Sequence, residues 1–340
     1  MKLKSLIAAA SIAALSAGMA YADAHGGKVK VGMITTLSGG GAGLGIDTRD
    51  GFMLAIKQAD NSEIEVITED DGQKPELAVQ IADKMIQSDQ VDILTGIVWS
   101  NLLMAVAPSA VAQGKFYVST NAAPAALAGA NCNPLYFNAA YQNDNLHEAM
   151  GEYANKDYKK IFIMAPNYPA GKDSLTGFKR YYKGELASEV YTQVGQTDYA
   201  AEIAQIRASG ADAVFAFLPG GMGIAFMKQY AQSGVEIPVM GPGFSFSQDV
   251  LPAIGDAALG AKASGQWAPD FDTEVSKKFL ADFQTEYGRL PSIYAVQAYD
   301  AAQLILSAAA KADVKDAEAF RAELLKADIQ SPRGDFKFNT

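Results

Sequence analysis

Apolar residues in this chain come in two rhythms: short dense runs of four to eight, and longer segments where they recur every three or four positions. Val29 to Thr36 is the first dense run and reads as a buried strand. It leads into a glycine-rich loop from Leu37 to Gly45, and a helix is predicted from near Asp47 with Phe52, Ala55, Ile56 and Ala59 on one face. Ile64 to Thr68 reads as the next strand, the turn Asp70-Asp71-Gly72-Gln73-Lys74-Pro75 follows, and Ala78, Ile81, Ala82 and Met85 mark a helix. Val91 to Ile97 (strand), Asn101 to Gln113 (helix) and Lys115 to Ser119 (strand) continue the alternation.

After a loop from Thr120 to Pro134 the pattern restarts. Helices are predicted over Asn143 to Asn155, Gly171 to Tyr182, Tyr199 to Ala208 and Gly221 to Ser233. Strands are predicted over Lys160 to Ala165, Val190 to Thr192, Ala213 to Leu218 and Pro238 to Gly241. The last third is mainly helical, over Thr273 to Tyr287, Ile293 to Ala312 and Asp316 to Lys326, and Gly334 to Phe338 alternates as a strand does. Dense strands alternating with amphipathic helices imply parallel sheets covered on both faces. The expected fold class is α/β, with two doubly wound parallel-sheet lobes.

The first residues change the picture of where the chain works. Lys2 and Lys4 precede an apolar run from Leu6 to Leu15, and Ala20-Tyr21-Ala22 offers small residues around a cleavage point. The run falls short of the roughly 20 residues that span a bilayer. Residues 1–22 are therefore expected to be a cleaved export signal, and with no cysteine at that junction no lipid anchor is expected. The 340-residue chain carries a formal charge of −10, which grows more negative once Lys2 and Lys4 are removed. An acidic surface without a basic stripe argues against nucleic-acid binding. Cys132 is the single cysteine, so the chain has no internal disulfide and depends on packing.

Common catalytic constellations are missing. The G-x-G-x-x-G spacing fails in every frame of the glycine loop, because the third position falls on Leu44, Ile46 or Thr48. Only His25 and His147 could serve a serine triad; His25 lies near the expected terminus, and His147 beside Glu148 reads as a solvated or capping side chain. Gly243-Phe244-Ser245-Phe246-Ser247 is not a nucleophile elbow. The adjacent acids Asp70-Asp71 read as solvated turn residues. No enzyme, metal site or cofactor is expected.

Ligands of open α/β sheets bind beyond the carboxyl ends of the strands. The loops that fall there are Leu44-Gly45, Trp99-Ser100-Asn101, Asn121-Ala122-Ala123-Pro124, Asn167-Tyr168-Pro169, Pro219-Gly220-Gly221 and Gly241-Pro242-Gly243-Phe244. Ser100 at a helix start suits a carboxylate, because its hydroxyl and the neighbouring amides can all donate; taken alone it reads more readily as an ordinary N-cap. Trp99, Tyr168 and Phe244 are candidate apolar walls. The ligand-site candidates are thus Leu44, Trp99, Ser100, Asn101, Asn121, Ala122, Ala123, Tyr168, Gly220 and Phe244.

At these residues the chain resembles the periplasmic substrate-binding proteins of the branched-chain amino acid (Leu/Ile/Val) ABC transporter family. The resemblance runs through Val31 to Gly39, Asp70-Asp71-Gly72, Gly96 and Ser100, Asn121 to Pro124, Asn167 to Gly171 and Tyr294 to Ala302. It implies two lobes joined by a hinge: 28–138 with 267–326, and 139–266 with 327–340. It also implies that family members continue for several tens of residues past Thr340. By the same resemblance, Ser100 and the backbone of Asn121 to Ala123 would hold a ligand carboxylate, Leu44 would line the pocket and Tyr168 would press from the other lobe. Amino-acid binders of the family carry a Gly-Pro-Glu-Gly stretch whose glutamate pairs with the ligand ammonium. Here Gly241-Pro242-Gly243-Phe244 has no acid, and Gly220-Gly221 replaces a bulky aromatic. The expected ligand is therefore a small carboxylate with an aromatic or apolar body, as in the aromatic-acid-binding branch, rather than a branched-chain amino acid; Asp270 or Asp272 could restore an ammonium partner. The implied partner is a membrane permease, and the implied setting is a periplasmic monomer. A sensory receptor and an exported hydrolase remain the alternatives.

Overall fold

A computed structural model describes residues 28–59, 64–129 and 131–339; the expected export signal and His25 lie outside them. The first lobe opens with β1 (Val29–Thr35), α1 (Ala42–Gln58), β2 (Ile64–Asp70), α2 (Pro75–Gln87) and β3 (Ile93–Thr95). It continues with α3 (Ser100–Ala112), β4 (Phe116–Ser119), α4 (Ala125–Ala128) and β5 (Tyr136–Asn138). The second lobe comprises α5 (Asn143–Asp157), β6 (Lys160–Pro166), α6 (Pro169–Tyr181), β7 (Glu185–Thr192) and α7 (Ala200–Ala208). β8 (Ala213–Ala216), α8 (Gly221–Gln232), β9 (Val239–Pro242), α9 (Leu251–Ile254) and β10 (Lys262–Ser264) complete it. The chain then returns to the first lobe as α10 (Glu274–Tyr287), α11 (Ile293–Ala309) and α12 (Ala317–Leu325).

Each lobe holds a five-stranded sheet in which all the paired strands are parallel, ordered β2-β1-β3-β4-β5 and β10-β9-β8-β6-β7. Central strands are apolar almost throughout because helices cover both faces, as in the wholly buried β8. The edge strand β7 is mostly exposed or half-buried, which is why its sequence carries glutamates and a serine. In each sheet the chain reverses direction of growth beside the first strand, between β1 and β3 and again between β6 and β8. These are the switch points at which loops diverge and leave a crevice. The two crevices face one another.

Close helix packing fixes each lobe. A Cβ on Gly51 of α1 would lie 2.0 Å from the carbonyl oxygen of Ala295 on α11, so only glycine permits that approach. Phe320 of α12 reaches across to Phe116 of β4, with ring centroids 5.1 Å apart.

The structure differs from expectation in several places. α1 begins at Ala42, not near Asp47, because tertiary packing overrides the poor helix propensity of Gly43 and Gly45. Asp47 is buried inside that helix, accepting from the Ser292 backbone N–H at 2.9 Å and pairing with Arg289. The three-residue edge strands β5 and β10 were not foreseen. Finally, residues 334–338 form no strand, and the closing segment expected on the second lobe packs on the first. Arg333 holds it there, donating to buried Asp300 of α11 at 2.7 Å and to the carbonyl oxygen of Ala140 at 2.9 Å. Phe338 then lies edge-on to Phe137 at 5.2 Å.

Candidate functional site

The loops at the two switch points meet in a cleft nearly filled by its own side chains, with about 10 Å³ of cavity volume left between them. From the first lobe come Leu44, the Val98-Trp99-Ser100 turn after β3, Asn121 and Ala122 after β4, and Tyr294 at the start of α11. The second lobe gives Asn143 at the start of α5, Tyr168 and Ala170 after β6, Phe217 and Pro219 after β8, and Phe244 after β9; Tyr141 enters from the crossing between lobes.

Of the sequence candidates, Leu44, Trp99, Ser100, Asn121, Ala122, Tyr168 and Phe244 line this cleft. Three do not. Asn101 sits half-buried one residue further along α3, and Ala123 is buried beside the cleft, its carbonyl accepting from the Asn143 N–H at 2.9 Å. Gly220 seals the lobes instead of lining the space: with φ of 61° it lies where a Cβ would be 3.0 Å from the Gly40 carbonyl oxygen and 3.1 Å from Leu44. Asp270 and Asp272 are exposed, and Asp272 pairs with Lys277 at 2.6 Å. Neither lines the cleft.

Ser100 is the first residue of α3 and not its cap; Trp99 takes the cap position without a capping side-chain bond. The helical ladder begins with the Leu103 N–H on the Trp99 carbonyl at 3.0 Å, so the amides of the preceding turn are left at the helix N-terminus. Such a terminus favours a negative group by about 0.3–2 kcal/mol. Asn121, by contrast, is already committed: its amide donates to the Val98 carbonyl at 2.9 Å and its oxygen accepts from Tyr141 at 3.3 Å.

Trp99 is held by a buried chain. Its Nε1 donates to Thr36 Oγ1 at 3.0 Å, and Thr36 donates to Asp71 Oδ1 at 2.6 Å. Asp71, expected to be solvated, is fully buried; desolvation raises its carboxyl, while the bonds from Thr36 and the Gln73 amide oppose that rise.

The opposite wall is aromatic. Tyr168 and Phe217 stack at 6.2 Å, Phe217 meets Phe244 edge-on at 5.4 Å, and Phe244 contacts Tyr294 at 5.9 Å. Behind them lies His147, which corrects the expectation of a solvated histidine: it is 1% exposed and edge-on to Phe217 at 5.3 Å. Burial pushes its pKa down to about 3, with Asp144 opposing, so the ring is neutral at ordinary pH. Desolvation likewise drives the hydroxyls of Tyr141, Tyr168 and Tyr294 above their usual range. Among the described lining residues none is acidic or basic. A second, more open hollow of about 800 Å³ runs beside the closing segment, between Leu127, Tyr136, Arg321 and Phe336. It does not join the two switch points.

Phe217, Tyr294, Tyr141 and Asn143 were not singled out from sequence. Phe217 ends an apolar run indistinguishable from core, and Tyr294 reads as one more apolar position of α11. Asn143 carried a faint signal as the first residue of a helix directly after the crossing.

Two α/β lobes enclosing a cleft at paired switch points define a solute-binding protein. The family model for periplasmic binding proteins matches residues 28–340, and the chain belongs to that family. The solute-binding protein of an ABC transporter from Rhodopseudomonas palustris, solved with benzoate, superposes with a TM-score of 0.88 at 30% identity, covering 92% of this chain and 89% of that one. A second R. palustris solute-binding protein, solved with 3,4-dihydroxybenzoic acid, gives 0.82 at 28% identity, covering 90% and 87%. Leu/Ile/Val-binding protein homolog 6 of Brucella melitensis is 27% identical over 347 residues, covering 97% of this chain and 87% of its own length. The chain is thus a solute-binding protein of the ABC-transporter type.

Proposed function

We propose that this chain captures an aromatic carboxylate in the periplasm, as a monomer, and releases it unchanged to a membrane permease. The observation that carries the reading is the cleft's division of labour. Ser100 and the N-terminus of α3 offer donors on one side, and neutral rings of Tyr168, Phe217 and Phe244 stand on the other, with no acid lining the space. An α-amino acid would bury its ammonium without a carboxylate partner, at a cost of about 1–3 kcal/mol or more. A benzoate-like acid has no such group and offers a flat ring to the aromatic wall. The benzoate and dihydroxybenzoate found in two similar solute-binding proteins support this choice.

Calorimetric titration with benzoate and with leucine tests it. Benzoate is expected to bind at least about tenfold more tightly, from the unpaired-ammonium penalty. Tighter binding of leucine would overturn the aromatic-acid reading. Recovery of the ligand chemically changed would overturn the binding role.

A further inference from the structure

We infer that the carboxylate donor on the first lobe is aimed from the second, through a relay in which Asp173 orients the amide of Asn143 and Asn143 orients the hydroxyl of Ser100. This rests on the carboxylate reading of the cleft and adds how that reading is enforced. Ser100 opens α3 of the first lobe, whereas Asn143 opens α5 and Asp173 sits on α6 of the second. Asn143 Nδ2 lies 3.1 Å from Ser100 Oγ and 3.1 Å from Asp173 Oδ2. A carboxylate accepts only, so the amide must turn its NH₂, not its carbonyl, toward Asp173. That NH₂ has two hydrogens, and the second goes to Ser100 Oγ.

A serine hydroxyl carries one hydrogen. With its oxygen accepting from Asn143, Ser100 keeps that hydrogen for another acceptor. Among the described residues Ser100 Oγ donates to no protein group, and the side chain is 1% exposed and lines the cleft. The hydrogen is left for a ligand oxygen. Asp173 Oδ2 also accepts the Ala125 N–H of α4 at 3.1 Å, so one oxygen ties both lobes together. The relay is complete only when the lobes meet. An open protein presents a freely rotating hydroxyl, and a closed one presents a committed donor. An anion therefore gains more from the closed state than from the open one, which is the differential affinity that closure requires.

The test compares benzoate with neutral benzamide by calorimetry. In the isosteric Asn143→Asp, an acceptor replaces the donor, and Ser100 donates to it instead of to the ligand. Benzoate affinity is expected to fall roughly 100-fold, as for an uncompensated buried charge, and benzamide affinity by less than about tenfold. Asp173→Ala is expected to narrow the benzoate-to-benzamide preference in the same direction. Asp173→Asn, whose carbonyl oxygen can accept from both Asn143 and Ala125, should restore most of it. Melting curves without ligand establish that each variant is folded, and if Asn143→Asp is not, the Asp173 pair decides by the same ratio. Equal losses for the two ligands, or no loss, overturn the relay. Failure of the unsubstituted protein to bind benzoate would instead overturn the carboxylate reading beneath it.

Discussion

On the first-lobe side the cleft pairs the polar Ser100, Asn121 and a helix terminus with the apolar Leu44, Trp99 and Tyr294; on the second-lobe side it is bounded by the rings of Tyr168, Phe217 and Phe244. The polar wall is mostly spent on itself. Asn121 is bound at both ends, Trp99 is tied through Thr36 to Asp71, and the free donors are concentrated at Ser100 and the start of α3. The aromatic wall of Tyr168, Phe217 and Phe244 carries no charge and is backed by a neutral histidine. Two walls of such different chemistry read two different parts of one ligand. The first locates its anionic end, and the second measures its body.

The sharpest way to break this contrast is to put a charge on the neutral wall. Phe217→Glu would set a carboxylate against the ligand's own in a closed, low-dielectric space. Benzoate affinity is expected to fall by more than about 100-fold, consistent with several kcal/mol for an unpaired buried charge. Calorimetry reads this directly, with a melting curve to confirm folding. Retained benzoate binding would mean that Phe217 does not face the ligand.

The two sides also differ in how protons act on stability. His147, behind the rings, is held down to about 3 by burial, so folding excludes a proton that the unfolded chain binds below about 6.5. Its contribution is present above pH 6.5 and is lost at about 1.4 kcal/mol per pH unit as pH falls toward 3. Asp249, near Gly43 at the lobe contact, has the opposite sign. Burial pushes its carboxyl up to about 7, with Ser247 opposing, so the folded state holds a proton that the unfolded chain releases above about 4. Its contribution is lost as pH rises through that window. The slopes oppose one another between pH 4 and 6.5, and single variants should unmask them. In Asp249→Asn, denaturant-measured stability is expected to fall steadily below pH 6.5. In His147→Phe it is expected to fall as pH rises from 4 to 7. Parallel profiles for the two variants would refute the assignment.

The same contrast explains what could be read from the chain before its fold was known. Dense apolar runs placed β1, β6 and β8 because a strand buried on both faces cannot hide its composition. Loops rich in glycine, proline and asparagine then located Ser100, Asn121, Tyr168 and Phe244 by their position after a strand. β5 and β10 escaped because three residues at a sheet edge show no period. The aromatic wall was half legible for a related reason. Phe217 and His147 do their work among other apolar groups, and nothing local separates a ring that faces a ligand from one that faces a helix. Phe336 and Phe338 misled because alternation is also what a coil shows when every second side chain finds a hydrophobic surface.

The smallest expected effect lies on the polar wall, and it separates the two walls most cleanly. Ser100→Ala removes one donor to the ligand but leaves the amides at the start of α3, so the anion site is weakened and not abolished. A hydrogen bond to a charged group contributes about 1.5–3 kcal/mol and one to a neutral group about 0.5–1.5 kcal/mol. Benzoate should therefore lose about tenfold in affinity or somewhat more, and benzamide only a few-fold. The variant also leaves the Asn143 amide without its acceptor in a buried position, so unliganded stability should drop by about 1 kcal/mol. Truncating a ring such as Phe244 gives a different signature, because benzoate and benzamide share the same ring and should lose equally. Calorimetry with both ligands on both variants fills a two-by-two comparison. An unchanged benzoate-to-benzamide ratio in Ser100→Ala would move the anionic end of the ligand away from α3 and leave the polar wall without its assigned role.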